Sequence, residues 1–129
     1  MFLRALEPIE GMEKMLVNRA EFQPFKSKSK TRNIPIKPHQ LCNGPAKLCI
    51  SFTITKDKCN MQDLTSWNKL WIEKGDNIPE EKIVKSCRIG IDSAGVEWAK
   101  KLLRFYVFNN KCVSKRDKHQ ESVLVGESS

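Results

Sequence analysis

Lys47 stands in the run Leu41-Cys42-Asn43-Gly44-Pro45-Ala46-Lys47-Leu48, whose residue types and order could hold an anion. Gly-Pro marks a turn, and proline suits the first position of a helix because its missing N–H would be unpaired there. Asn43 is a capping type whose side-chain oxygen can accept an orphan amide. A helix start offers free N–H groups and partial positive charge, which together favour a phosphate. Lys47 adds a full charge in the first turn, where cations are otherwise disfavoured, and a facing phosphate accounts for it. The same residues also fit a capped surface helix with a solvated lysine. Both readings stand at this point.

Metal chemistry finds little support. Cys42, Cys49, Cys59, Cys87 and Cys112 are odd in number and form no closely spaced pair, which argues for reduced thiols in an intracellular protein. His39 with Cys42 and Cys49 is the one loose cluster, and it lacks zinc-type spacing. We expect no metal and no cofactor. No apolar run approaches a membrane span, and Met1-Phe2-Leu3-Arg4 has no secretory pattern.

Charge points the other way, toward a polyanion. The net charge is +8 over 129 residues. Residues 26–58 carry eight basic and one acidic side chain, so +7 of the excess lies around the Gly-Pro element. A concentrated basic patch is the electrostatic footprint of nucleic-acid binding. A solvated loop that keeps the protein soluble is the plain alternative, and the two are compatible.

The elements that must position Lys47 follow from periodicity. Met1–Leu6 reads as a short strand, and Pro8 then opens a helix over 8–20 with Ile9, Met12, Leu16 and Ala20 on one face. Pro24, Pro35 and Pro38 break any pattern over 23–40, where the run from Lys26 to Arg32 makes a basic loop. Leu48, Ile50, Phe52 and Ile54 alternate like a strand, but the Gly-Pro start favours a helix. We expect the helix, on that start and on the resemblance given below. Asp63 can cap a short turn, and Leu70–Glu73 reads as a strand. Trp67 and Trp71 are packing aromatics. Ile83–Ile91 reads as a strand in which Gly90 permits close backbone approach. Asp92–Gly95 turns the chain, and Leu102–Phe108 is a final strand. From Ser114 to Ser129 the chain is polar, and we expect a disordered tail.

Several of these stretches together resemble the alkyladenine (3-methyladenine) DNA glycosylase family. They are Phe2-Leu3-Arg4-Ala5-Leu6-Glu7-Pro8, the Leu-Cys-Asn-Gly-Pro-Ala-Lys-Leu run, Arg88-Ile89-Gly90-Ile91, Glu97-Trp98-Ala99 and Leu103-Arg104-Phe105-Tyr106-Val107. They occur in the family's order, over residues 1 to about 108. The resemblance implies base-excision repair, in which a damaged purine is flipped out of duplex DNA because its glycosidic bond is inaccessible within the stack. An activated water then hydrolyses that bond without a metal. By this likeness Arg4 lies beside the water and the flipped nucleotide, and Ile89 offers its backbone carbonyl to the water. Lys47 contacts a DNA phosphate, with Gly44, Arg88 and Gly90 as further DNA contacts.

The departures bear on activity. The family's general-base glutamate, its stacking tyrosine and histidine, and its intercalating tyrosine precede the Arg-Ala-Leu-Glu-Pro element, where this sequence begins. Leu102 replaces a frequent proline, and the Gly95-Val96-Glu97 turn is one residue longer. Glu7, Asp92 and Glu97 each have a simple structural role at a helix start, a turn and a surface. The expectation is therefore an α+β protein: a single mixed domain over 1–113, with a mainly antiparallel sheet truncated at the N-terminus, followed by the tail over 114–129. By kinship it is a nuclear DNA-repair hydrolase acting on double-stranded DNA with damaged purines, inactive as a bare chain. A non-enzymatic basic DNA-binding fragment or an incomplete gene product are the alternatives.

Overall fold

The structure is a computed structural model that describes residues 2–22 and 35–127. It is α+β, with five α-helices and a two-stranded antiparallel sheet among the described residues. Residues 23–34, including the expected basic run from Lys26 to Arg32, lie outside them. The contacts divide the chain into two compact units, Met1–Lys74 and Gly75–Ser129.

In the first unit, helix α1 spans Met12–Glu21 and opens after Gly11, whose φ of 72° is a conformation glycine adopts without steric cost. The helix therefore starts four residues later than Pro8 suggests. Ile9 is left outside it and exposed, and Met15, not Leu16, faces inward. Helix α2 spans Pro45–Ser51 and buries Leu48 and Ser51, three apart, so helical spacing wins over the strand-like alternation. Met15, Leu41, Cys42 and Leu48 form the core, with Leu6, Met12, Ile36, Cys49 and Ile54 packed against it. Burying a leucine such as Leu41 contributes about 1.5–3 kcal/mol.

Polar groups at this junction are paired. Asn18 Nδ2 donates to the Ser51 carbonyl at 2.9 Å, and Arg19 Nη1 donates to the Leu41 carbonyl at 2.9 Å. Ser51 Oγ donates to the same Leu41 oxygen at 2.8 Å. The expected strand at Met1–Leu6 is absent over the described residues 2–6. Leu6 N donates to Cys42 O at 3.0 Å, which seats the segment beside α2 without making a ladder. Helix α3 spans Lys56–Cys59, with Thr55 Oγ1 accepting from Lys58 N. Asp63 does stabilise a turn, its Oδ1 accepting from Thr65 N at 2.9 Å. Leu70–Glu73 is not a strand, and Trp71 is exposed rather than packed.

In the second unit, β1 (Ile83–Ser86) pairs antiparallel with β2 (Arg104–Val107), setting Val84 opposite Tyr106 and Ser86 opposite Arg104. Helix α4 spans Val96–Lys100 between them. The face bearing Val84 and Ser86 is buried, while Phe105 and Lys85 occupy the exposed opposite face. Helix α5, Lys118–Glu127, packs on β1 where a disordered tail is expected. Its anchor is polar. Asp117 N donates to Tyr106 Oη at 2.7 Å, Tyr106 Oη donates to Glu121 Oε1 at 3.0 Å, and Arg116 Nε donates to the same oxygen at 2.8 Å. A polar composition signals disorder only when its groups lack such partners.

Candidate functional site

Lys47 occupies the first turn of α2, at the margin of the face that buries Leu48 and Ser51, and is exposed. Gly44, not Asn43, takes the capping position, with extended backbone and no side-chain cap. Asn43 Oδ1 instead accepts from Lys47 Nζ at 3.0 Å. An ammonium carries three donors, so Lys47 is oriented by one bond and keeps two for a partner. Helix α2 has only seven residues, so the side chain, rather than the helix dipole, supplies the charge here.

Arg4 is also exposed and makes no hydrogen bond or ion pair to another described residue. It shares the first unit with Lys47 and Gly44, two residues before the Leu6–Cys42 bond. Arg88, Ile89 and Gly90 lie together in the bend leaving β1, in the second unit. All three are exposed, and Gly90 has a φ of 73°. A Cβ added to Gly90 would meet nothing within 4 Å, so the glycine serves the backbone turn and no internal close contact.

The bend borders a shallow groove of about 550 Å³, whose lining runs from Ser86 to Ile89 and from Lys115 to Lys118, with Arg104 between. Arg104 is fixed in its floor: Nε donates to Cys87 O at 3.2 Å, Nη1 to Lys115 O at 2.9 Å, and the guanidinium stacks 4.9 Å from the Tyr106 ring centre. Asp117 is the carboxylate of the lining, and Ser86 Oγ donates to it at 2.6 Å. That hydroxyl, with the Gln120 amide behind it, holds the Asp117 pKa below the usual carboxylate range. Glu121 is likewise lowered, chiefly by the hydrogen bond from Arg116. Burial raises the Tyr106 hydroxyl.

Arg104, Lys115, Arg116 and Lys118 were invisible as a site in the sequence. The available signal was the run Lys115-Arg116-Asp117-Lys118, which reads as a solvated tail until α5 folds it against β1. Among the described residues no group of three or more His, Cys, Asp or Glu side chains could hold a metal ion. Cys42 is buried with its Sγ 3.9 Å from Met15 Sδ, and none of the five cysteines, all among the described residues, is in a disulfide.

Comparison with known proteins decides the kinship. The family model of methylpurine-DNA glycosylases matches residues 1–111. The chain belongs to that family. It is 39% identical over 120 residues to the human DNA-3-methyladenine glycosylase, covering 92% of this chain and 38% of the human protein. It is 37% identical over 123 residues to the mouse enzyme of that name, covering 94% of the chain and 35% of the relative. The rat protein gives 36% over 121 residues, with 94% and 36% covered. The chain thus spans little more than a third of the length of these relatives. The glycosylase family match includes Arg4, Lys47 and the Arg88–Gly90 bend, while Lys115 to Lys118 lie past it.

No helix among the described residues is long and apolar enough to cross a membrane.

Proposed function

We propose that this chain serves base-excision repair as the DNA-contacting and water-holding portion of a glycosylase acting on alkylated or deaminated purines in duplex DNA. Family membership over residues 1–111 is the observation that carries this reading. In it, Lys47 contacts a phosphate, with Gly44, Arg88 and Gly90 beside the backbone, and the basic segment from Lys26 to Lys58 adds affinity. Arg4 lies against the flipped nucleotide, and the Ile89 carbonyl receives the attacking water. A duplex-DNA partner and five cysteines outside any disulfide support a nuclear location, where thiols remain reduced.

The groove at Ile89 offers no unspent carboxylate for water activation. A general base must come within hydrogen-bond reach of the water. Asp117 is the carboxylate lining the groove at Ile89, and Ser86 and the Gln120 amide already occupy it. Its lowered pKa makes it a poorer proton acceptor still. The 129-residue chain by itself is accordingly a duplex binder without excision activity, which also accommodates the reading of a non-enzymatic DNA-binding fragment.

The test is binding and excision on matched normal and hypoxanthine-containing duplexes. Phosphate contacts carry little lesion information, so Lys47→Ala is expected to weaken both duplexes alike and make the salt slope shallower by about one. Abasic-site formation by the chain alone, or no effect of Lys47→Ala on either duplex, would refute this assignment.

A further inference from the structure

Three cations of the groove in the second unit have no structural task. Arg104 is consumed by its bonds to Cys87 O, Lys115 O and, at 3.4 Å, Ser86 Oγ. Arg116 is consumed by Glu121, to which Nε and Nη2 each donate at 2.8 Å. The side chains of Arg88, Lys115 and Lys118 are exposed and form no hydrogen bond or ion pair with a described residue. With Arg116 cancelled by Glu121, the lining retains four positive groups against Asp117. Like charges gathered over one concavity raise the local potential and attract a counter-ion of opposite sign.

We infer that this groove is a second phosphate-binding surface for the backbone of duplex DNA, carried by Arg88, Lys115 and Lys118. The inference rests on the DNA-binding reading above and extends it past the family match, which ends at residue 111. The groove adjoins the Ile89 bend, so a strand whose damaged nucleotide faces the Ile89 carbonyl lays a neighbouring phosphate against it. Asp117 caps α5 through the Gln120 amide, so the side chains, not the helix start, do the binding. The fixed Arg104 guanidinium beneath them gives the surface a charge that does not move away on binding. Arg88 follows β1 directly, and Lys115 and Lys118 flank the Asp117–Ser86 bond, so all three are attached to ordered backbone.

The experiment is fluorescence anisotropy of a labelled DNA duplex with the whole chain, across a salt series. Each phosphate neutralised contributes a salt slope of about −0.9, which is about 3.5-fold in affinity between about 50 and 200 mM salt. Lys115→Ala with Lys118→Ala is expected to make the slope shallower by about two, removing about 12-fold of that salt sensitivity. Lys118→Arg, which keeps the charge, is expected to retain wild-type binding, and Lys118→Glu to weaken binding beyond Lys118→Ala. An unchanged slope in the double variant, while Lys47→Ala still weakens binding, overturns this inference and leaves the Lys47 reading intact. Failure of the wild-type chain to bind any duplex overturns both. Tighter binding to single-stranded RNA than to duplex DNA, lost in the double variant, overturns the choice of duplex DNA as the partner.

Discussion

Tyr106→Phe is expected to release α5 from the sheet. The hydroxyl sits at the centre of the anchor, accepting from Asp117 N at 2.7 Å and donating to Glu121 Oε1 at 3.0 Å. Phenylalanine fills the same volume, so packing of the ring against Arg104 survives and only the two hydrogen bonds are lost. Glu121 keeps Arg116 as a partner, so its loss is a single bond to a charged acceptor. Asp117 N loses its acceptor at a part-buried position. A net hydrogen bond contributes about 0.5–1.5 kcal/mol and a buried orphan costs about 1–3 kcal/mol, so the change should total about 2 kcal/mol. At 1.4 kcal/mol per decade this is about a 30-fold rise in the open fraction of α5. Hydrogen exchange resolved to peptides reads it directly: amides of 118–127 should exchange faster by that factor, while those of α1 and α2 in the other unit should not change. Equal exchange in both proteins would show that the hydroxyl does not hold α5.

Acid should loosen the same element. Asp117 and Glu121 have lowered pKa values in the folded chain, so their contribution is full above the ordinary carboxylate range and is lost as pH falls through the lowered values. Exchange of α5 should therefore accelerate in acid before that of α1 and α2, and a reversed order would count against the assignment. In the first unit, Leu41→Ala removes a side chain that is 1% exposed at the centre of the core and should cost about 2–5 kcal/mol. Urea unfolding followed by circular dichroism checks it, with a cost below about 1 kcal/mol pointing to a site that collapses around the cavity.

Sequence reading succeeded where a signal was local. The Gly44-Pro45 start overrode the alternation of Leu48, Ile50, Phe52 and Ile54, and α2 is a helix. Ile83–Ser86 and Arg104–Val107 are strands within the stretches that suggested them, and Asp63 holds its turn. It failed where structure depends on a partner distant in sequence. Residues 2–6 and 70–73 have the apolar content of strands, but a strand exists only where an edge is available, and among the described residues these segments make a backbone bond at Leu6 or Ile72 and no ladder. Alternation gives a face; it does not supply the neighbouring strand. The start of α1 went astray because Pro8 is a permitted first residue, whereas the positive φ of Gly11 is a property of the folded backbone.

The same distinction explains which half of the electrostatics could be read. The +7 of residues 26–58 is contiguous, so counting along the chain finds it. The groove is assembled from Arg88, Arg104 and the Lys115–Lys118 run, separated by more than ten residues at each step, so counting along the chain dilutes it. What concentrates it is the antiparallel register that sets Ser86 opposite Arg104, together with the Ser86–Asp117 bond that brings residues 115–118 alongside. Two of the five cations so gathered then prove to be structural, because Arg104 and Arg116 spend their donors on Cys87, Lys115 and Glu121. Net charge alone therefore overstates this surface, and the test of a binding cation is whether its donors remain unspent after folding. By that test Lys47, with one bond to Asn43, and Arg88, Lys115 and Lys118, with none to a described residue, retain the donors that the proposed phosphate contacts require.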